Sequence, residues 1–142
     1  MSTASHEKAC QPKIGDHAEF RKTMTVAEQA LYTGISGNMH PLYVNEVHAA
    51  ATEAGGRICF ELAVTALVTT ALAELGGPLR RLSRLEVRFP SPVRINETIA
   101  GRAEVTDVEA HSIRCNVRCV SDSGLVAAEG TAELVEMARR SH

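Results

Sequence analysis

The stretch Arg57-Ile58-Cys59-Phe60-Glu61-Leu62-Ala63-Val64-Thr65-Ala66-Leu67-Val68-Thr69-Thr70-Ala71-Leu72-Ala73-Glu74-Leu75 decides the architecture. Its apolar positions leave little room for a polar face, and a helix that is apolar nearly all round is one buried on most sides. Glu61, Thr65 and Thr69 are the exceptions; spaced four residues apart, they fall on a single stripe. Gly76-Gly77-Pro78 ends the helix, because glycine accepts the left-handed cap and proline cannot continue the ladder. The pattern predicts a buried helix from Arg57 to Leu75.

Beyond that helix the period switches from 3.6 to two. Leu82 to Phe89 reads as a strand, Pro90 to Arg94 as a corner and Glu97 to Val108 as the next strand. Ile113, Cys115, Val117 and Cys119 alternate with Ser112, Arg114, Asn116 and Arg118, the mark of an antiparallel strand with one wet face. Asp122-Ser123-Gly124 is a hairpin turn, and Val126, Ala128, Gly130, Ala132 and Leu134 carry the alternation into a last strand. A buried helix followed by a half-solvated meander is satisfied when the sheet curls round the helix. The expected class is α+β in one domain.

Upstream, Met1 to Pro12 has low apolar content and little periodicity, so residues 1–13 are expected to form a flexible leader and residues 14–138 the domain. Ala18 to Met24 suits a first strand. Thr25 with Glu28 forms a capping box for a short helix over Val26 to Thr33. Gly34 to Pro41 reads as a turn-rich loop presenting polar side chains, since Pro41 also keeps His40 out of the helical region. Asn45 can cap a second short helix, Glu46 to Glu53, stopped by Gly55-Gly56.

The chain has 142 residues, 44% hydrophobic and 23% charged, with a net charge of -2 from 15 basic and 17 acidic residues spread along it. That argues for one globular core and against a nucleic-acid partner. Five residues are aromatic and none is tryptophan, so the core is built from Val, Leu, Ile and Ala. Cys10, Cys59, Cys115 and Cys119 form no C-x-x-C pair and read as free thiols in a reducing cytoplasm. No segment approaches the ~20 apolar residues of a membrane span. His17, His48 and His111 have no partner at metal-ligand spacing and read as surface residues.

The segment Ser36-Gly37-Asn38-Met39-His40-Pro41-Leu42-Tyr43 resembles the hydratase signature of the MaoC-like family, which reads Ser, Gly or another small residue, Asp, any residue, Asn, Pro, Leu or Ile, His. The approach from Thr25 through Tyr32, Arg57-Ile58 at the opening of the helix, and Phe89-Pro90-Ser91-Pro92-Val93 at the corner extend the likeness from about Ile14 to Leu134. The resemblance implies a hot-dog fold, a long central helix wrapped by a curved antiparallel sheet. It also implies hydro-lyase activity, as an (R)-3-hydroxyacyl thioester dehydratase or enoyl-CoA hydratase. Such domains usually dimerise edge to edge, and some pair with an unequal hot-dog partner. No metal or bound organic cofactor is implied, because CoA or an acyl carrier arrives as part of the thioester substrate.

By the same resemblance Asn38 stands where the family has its catalytic Asp, Tyr43 where it has its catalytic His, and His40 where it has Asn. Phe60-Glu61 replaces a His-Gly at the start of the helix. An amide has no useful basicity and a phenol of pKa about 10 is a weak base at neutral pH, so the chemistry has to be redistributed. His40, Asn38 and Tyr43 are the candidate catalytic residues; Glu61, Phe60 and Phe89 are the candidate substrate contacts. Each has a plainer reading: a turn histidine, an Asx turn, a core aromatic, and an acid favoured at a helix N-terminus. Thr65 and Thr69 line a tunnel or, more simply, bond back to their own helix. Two alternatives remain open: a hot-dog thioesterase using Glu61, and a non-catalytic subunit that binds acyl-CoA.

Overall fold

The computed structural model describes residues 11–141. Expectations that fall on residues 1–10, including most of the leader and Cys10, lie outside the described residues. Within the described residues Pro12 is buried, and the Oε1 of Gln11 accepts from Arg80.

The elements follow in the order β1 His17–Thr23, α1 Val26–Ser36, α2 Pro41–Val44, α3 Glu46–Ala50, α4 Glu61–Gly76, β2 Arg80–Arg88, β3 Thr98–Val108, β4 Ser112–Ser121 and β5 Val126–Glu136. The five strands form one antiparallel sheet in the order β1-β3-β4-β5-β2. α4 lies along its inner face, burying Val64, Leu67, Val68, Ala71 and Leu72 against Ala103, Val105, Cys115, Val117, Cys119, Ala132 and Leu134. This is the hot-dog architecture that the resemblance implied. Among the described residues no helix is long and apolar enough to cross a membrane.

Two glycines set how closely the layers approach. A Cβ on Gly101 would meet the backbone carbonyl carbon of Leu67 at 2.7 Å, so β3 and α4 touch main chain to main chain there. A Cβ on Gly130 would lie 1.8 Å from the carbonyl oxygen of Glu86 on the neighbouring strand. Small residues at these points let the curved sheet close on the helix.

Three helix boundaries differ from the sequence reading, and β1, β2 and β3 are each shifted at one or both ends. α1 runs through Gly34 to Ser36 and stops only at Gly37, which takes a left-handed cap at φ 71°. One glycine inside a helix is a modest cost, and Ser36 adds a bond from its hydroxyl to the carbonyl of Tyr32. α3 ends at Ala50 rather than Glu53. α4 begins at Glu61 rather than Arg57, because residues 57–60 are extended: Ile58 bridges Arg94, the Cys59 amide donates to Val93 and the Ile95 amide to Arg57. The corner after β2 thus claims backbone groups that a helix would have used. α4 is also not buried all round, since Leu62, Ala66, Thr69, Thr70 and Ala73 are exposed.

Candidate active site

α1, α2 and the N-terminus of α4 converge on a cluster of aromatic rings. Pro41 starts α2 at its first turn, where a missing N–H costs nothing, and the Nδ1 of His40 caps that turn by accepting from the Leu42 amide at 3.3 Å. This short helix points Tyr43 inward. Its ring stacks on Phe60 at 4.3 Å between centroids, Tyr32 meets Phe60 from α1 at 4.5 Å, and His40 approaches Tyr43 edge-on at 5.8 Å. Phe60, only 2% exposed, is the platform of the group.

The hydroxyl of Tyr43 donates to the Oε2 of Glu61 at 2.7 Å, bringing together a phenol and a carboxylate 18 residues apart. Burial, reinforced by the hydrogen bond and the charge of Glu61, pushes the Tyr43 phenol up to about 12. Tyr43 therefore stays protonated at neutral pH and acts as a donor. Glu61 opens α4, where the helix dipole favours an anion, and its N-cap residue, Phe60, supplies no side-chain acceptor to the first-turn amides. Those amides point at whatever sits before the helix.

Gln29 sits behind the rings, 6% exposed. Its Nε2 donates to the carbonyls of Tyr43 at 2.9 Å and Ile58 at 2.8 Å, and its Oε1 accepts from the Phe60 amide at 3.4 Å. The sequence reading passed over this residue and over Tyr32. Their spacing was the available signal: Gln29, Tyr32 and Thr33 share a face of α1, whereas Leu31 and Ile35 point to solvent.

The profile of the MaoC like domain family matches residues 9–124. The chain belongs to the MaoC-like domain family. It is 28% identical over 130 residues to the (R)-specific enoyl-CoA hydratase of Rhodospirillum rubrum, covering 89% of this chain and 90% of that protein. It is 26% identical over 113 residues to the 3-hydroxybutyryl-CoA dehydratase of Methylorubrum extorquens, covering 79% and 72%. Its fold superimposes on the (R)-hydratase from A. caviae involved in PHA biosynthesis with a TM-score of 0.85 at 22% identity, covering 91% of this chain and all of that one.

Within this MaoC-like domain the candidate residues separate. Tyr43, Phe60, Glu61 and His40 form the cluster just described. Asn38 sits next to it in the chain, but its Oδ1 accepts from the His40 amide at 2.9 Å in an Asx turn, so its oxygen is engaged in loop geometry. Phe89 follows β2, 40% exposed, and among the described residues shares no ring contact with the cluster. The hydroxyl of Thr65 donates to the Glu61 carbonyl at 2.8 Å and that of Thr69 to the Ala66 carbonyl at 2.6 Å, the plainer of their two readings. The Phe60 amide, a candidate donor to substrate, is taken by Gln29, which leaves the first-turn amides of α4 for that role.

Two open concavities lie elsewhere. One of about 990 Å³ crosses the outer face of the sheet between charged side chains such as Glu19, Arg102, Arg118 and Glu129, and none of the candidate residues lines it. Another, of about 670 Å³, lies beside Ile58, Arg94 and Asn96. Converging donors and acceptors make the Tyr43–Glu61 cluster, rather than either concavity, the candidate site. Among the described residues no group of three or more His, Cys, Asp or Glu could hold a metal.

Proposed function

We propose that this chain is a hydro-lyase acting on acyl thioesters, interconverting a 2-enoyl thioester and its 3-hydroxyacyl form, with Glu61 and Tyr43 carrying the acid/base work. The observation that supports this most strongly is the 2.7 Å hydrogen bond between them at the N-terminus of α4. In the hydration direction Glu61 takes a proton from water as the water oxygen bonds to the β-carbon. The π electrons move to the α-carbon and thioester oxygen, and Glu61 returns the proton to the α-carbon. Tyr43 donates to Glu61 and fixes which carboxylate oxygen faces the water. The uncapped amides of α4 stabilise the enolate oxygen.

His40 has a narrower part. With Nδ1 accepting from the Leu42 amide, the neutral ring carries its proton on Nε2 and serves as a donor toward substrate or water rather than as a base. Asn38 shapes the loop that holds it. This assignment rests on reading Asn38 and Tyr43 as replacements for the family's Asp and His, and the hydratase and dehydratase relatives support the reaction class.

A second hot-dog chain, identical or unequal, completes the assembly in this proposal. Leu31 and Ile35 lie one turn apart on α1 at 67% and 85% exposure, with Met39 at 70% and Leu62 at 59%, and β1 and β2 leave the sheet with two edges. A reducing cytoplasm suits the three buried free thiols.

The test is crotonyl-CoA hydration followed at the enoyl-thioester absorbance, with free thiol measured in parallel, on the wild type, Glu61→Gln and His40→Ala. Loss of absorbance without thiol release, cut about 100-fold or more in Glu61→Gln and less in His40→Ala, supports the proposal. Thiol release would instead make Glu61 the base of a thioesterase. Binding of acyl-CoA with silence in both channels would make the chain a non-catalytic subunit.

A further inference from the structure

Gln29 bonds only to backbone groups, and through them it joins α1 to the turn that carries Tyr43 and to the residues leading into α4. We infer that Gln29 is a positioning residue, which holds the Tyr43-bearing turn against the start of α4 so that the phenol meets Glu61. This rests on the hydro-lyase reading above.

The argument is one of accounting for buried polar groups. The amide of Gln29 sits among two carbonyls and one N–H, from Tyr43, Ile58 and Phe60, and that arrangement allows one orientation of its nitrogen and oxygen. An apolar side chain of the same length would leave all three backbone groups unpaired in a site where Phe60 and Ile58 are 2% and 7% exposed. α2 and residues 57–60 are also joined by the backbone bond from the Ile58 amide to the Leu42 carbonyl at 3.2 Å. That bond alone leaves α2 free to pivot, and Gln29 removes the pivot by gripping the next carbonyl, that of Tyr43. These three bonds account for a glutamine on the inward face of α1, where leucine and isoleucine face outward.

The experiment compares wild type, Gln29→Met, Tyr43→Phe and the double variant on crotonyl-CoA, with the ¹³Cζ resonance of Tyr43 recorded for wild type and Gln29→Met. The expected result is a kcat about 10- to 100-fold lower in Gln29→Met at unchanged KM, no further loss in the double variant beyond Tyr43→Phe, and a displaced Tyr43 resonance. An unchanged kcat, a loss confined to KM, or losses that multiply in the double variant would overturn the inference. If Gln29→Met fails to fold, Gln29→Glu, which keeps an acceptor for the Phe60 amide but lacks both donors, takes the same measurements. If the wild type turns over no enoyl thioester, the hydro-lyase reading falls and the Tyr43 resonance alone decides on Gln29: displaced upholds its positioning role, unmoved ends it.

Discussion

In the proposed reaction Tyr43 and Glu61 divide the work, the phenol as donor and the carboxylate as base. A phenol pushed up to about 12 is a fixed donor over the whole working range, so ionisation of Tyr43 cannot set the alkaline limb of the rate at moderate pH. Tyr43→Phe should therefore lower kcat without introducing a new alkaline limb, and a pH–rate profile of the two proteins checks this. Much of this pair was legible as residues and little of it as a pair. Tyr43 and Glu61 were both singled out from the sequence, but 18 residues separate them, and only the extended path of residues 57–60 brings them into contact. Gln29 was not legible because a glutamine on a short helix is ordinarily a solvent residue, and its three partners are all backbone groups that no side-chain pattern reveals.

At the level of elements, local signals foretold most of what formed. The Thr25 capping box is present, with the Glu28 carboxylate bonded to the Thr25 amide at 2.7 Å and Lys22 Nζ 3.0 Å from it. The Thr25 side chain first, and then Lys22, holds the Glu28 carboxyl down at about 2. Its folded value lies below its unfolded one, so the stability it contributes is present above about 4.5 and lost as pH falls toward 2. Acid titration of the melting temperature should show Glu28→Gln losing part of that dependence. Thr25→Ala should cost about 1 kcal/mol at neutral pH by denaturant unfolding. The strands were all legible, though β2 begins at Arg80 rather than Leu82 and β5 ends at Glu136 rather than Leu134, because alternation reports a buried face directly but not where pairing stops. The start of α4 was misread because Ile58, Cys59 and Phe60 are as apolar as the helix they precede, and hydropathy cannot distinguish a bridge to Arg94 from a helical turn.

For the molecule as a whole, stability rests on a narrow interface of small residues and aliphatics. Leu72, 2% exposed on α4, should cost about 2–5 kcal/mol when replaced by alanine, and Gly130→Ala should cost at least about 1–3 kcal/mol by pushing β5 from the Glu86 carbonyl; chemical denaturation measures both. Burial pushes Cys59 and Cys119 up to about 12 and Cys115 to about 11, from 9.0. These folded values exceed the unfolded one, so the stability they confer is complete below about 9 and is lost as pH rises through that window. The melting temperature should fall across it, less steeply in Cys119→Ala. The same three thiols, at 3%, 0% and 0% exposure, are also a clock. A thiol-reactive dye can reach Cys115 or Cys119 only when sheet and helix part, and Cys59 only when its corner loosens, so in a Cys10→Ser background the labelling rates separate the opening frequency of the sheet–helix core from that of the corner under native conditions.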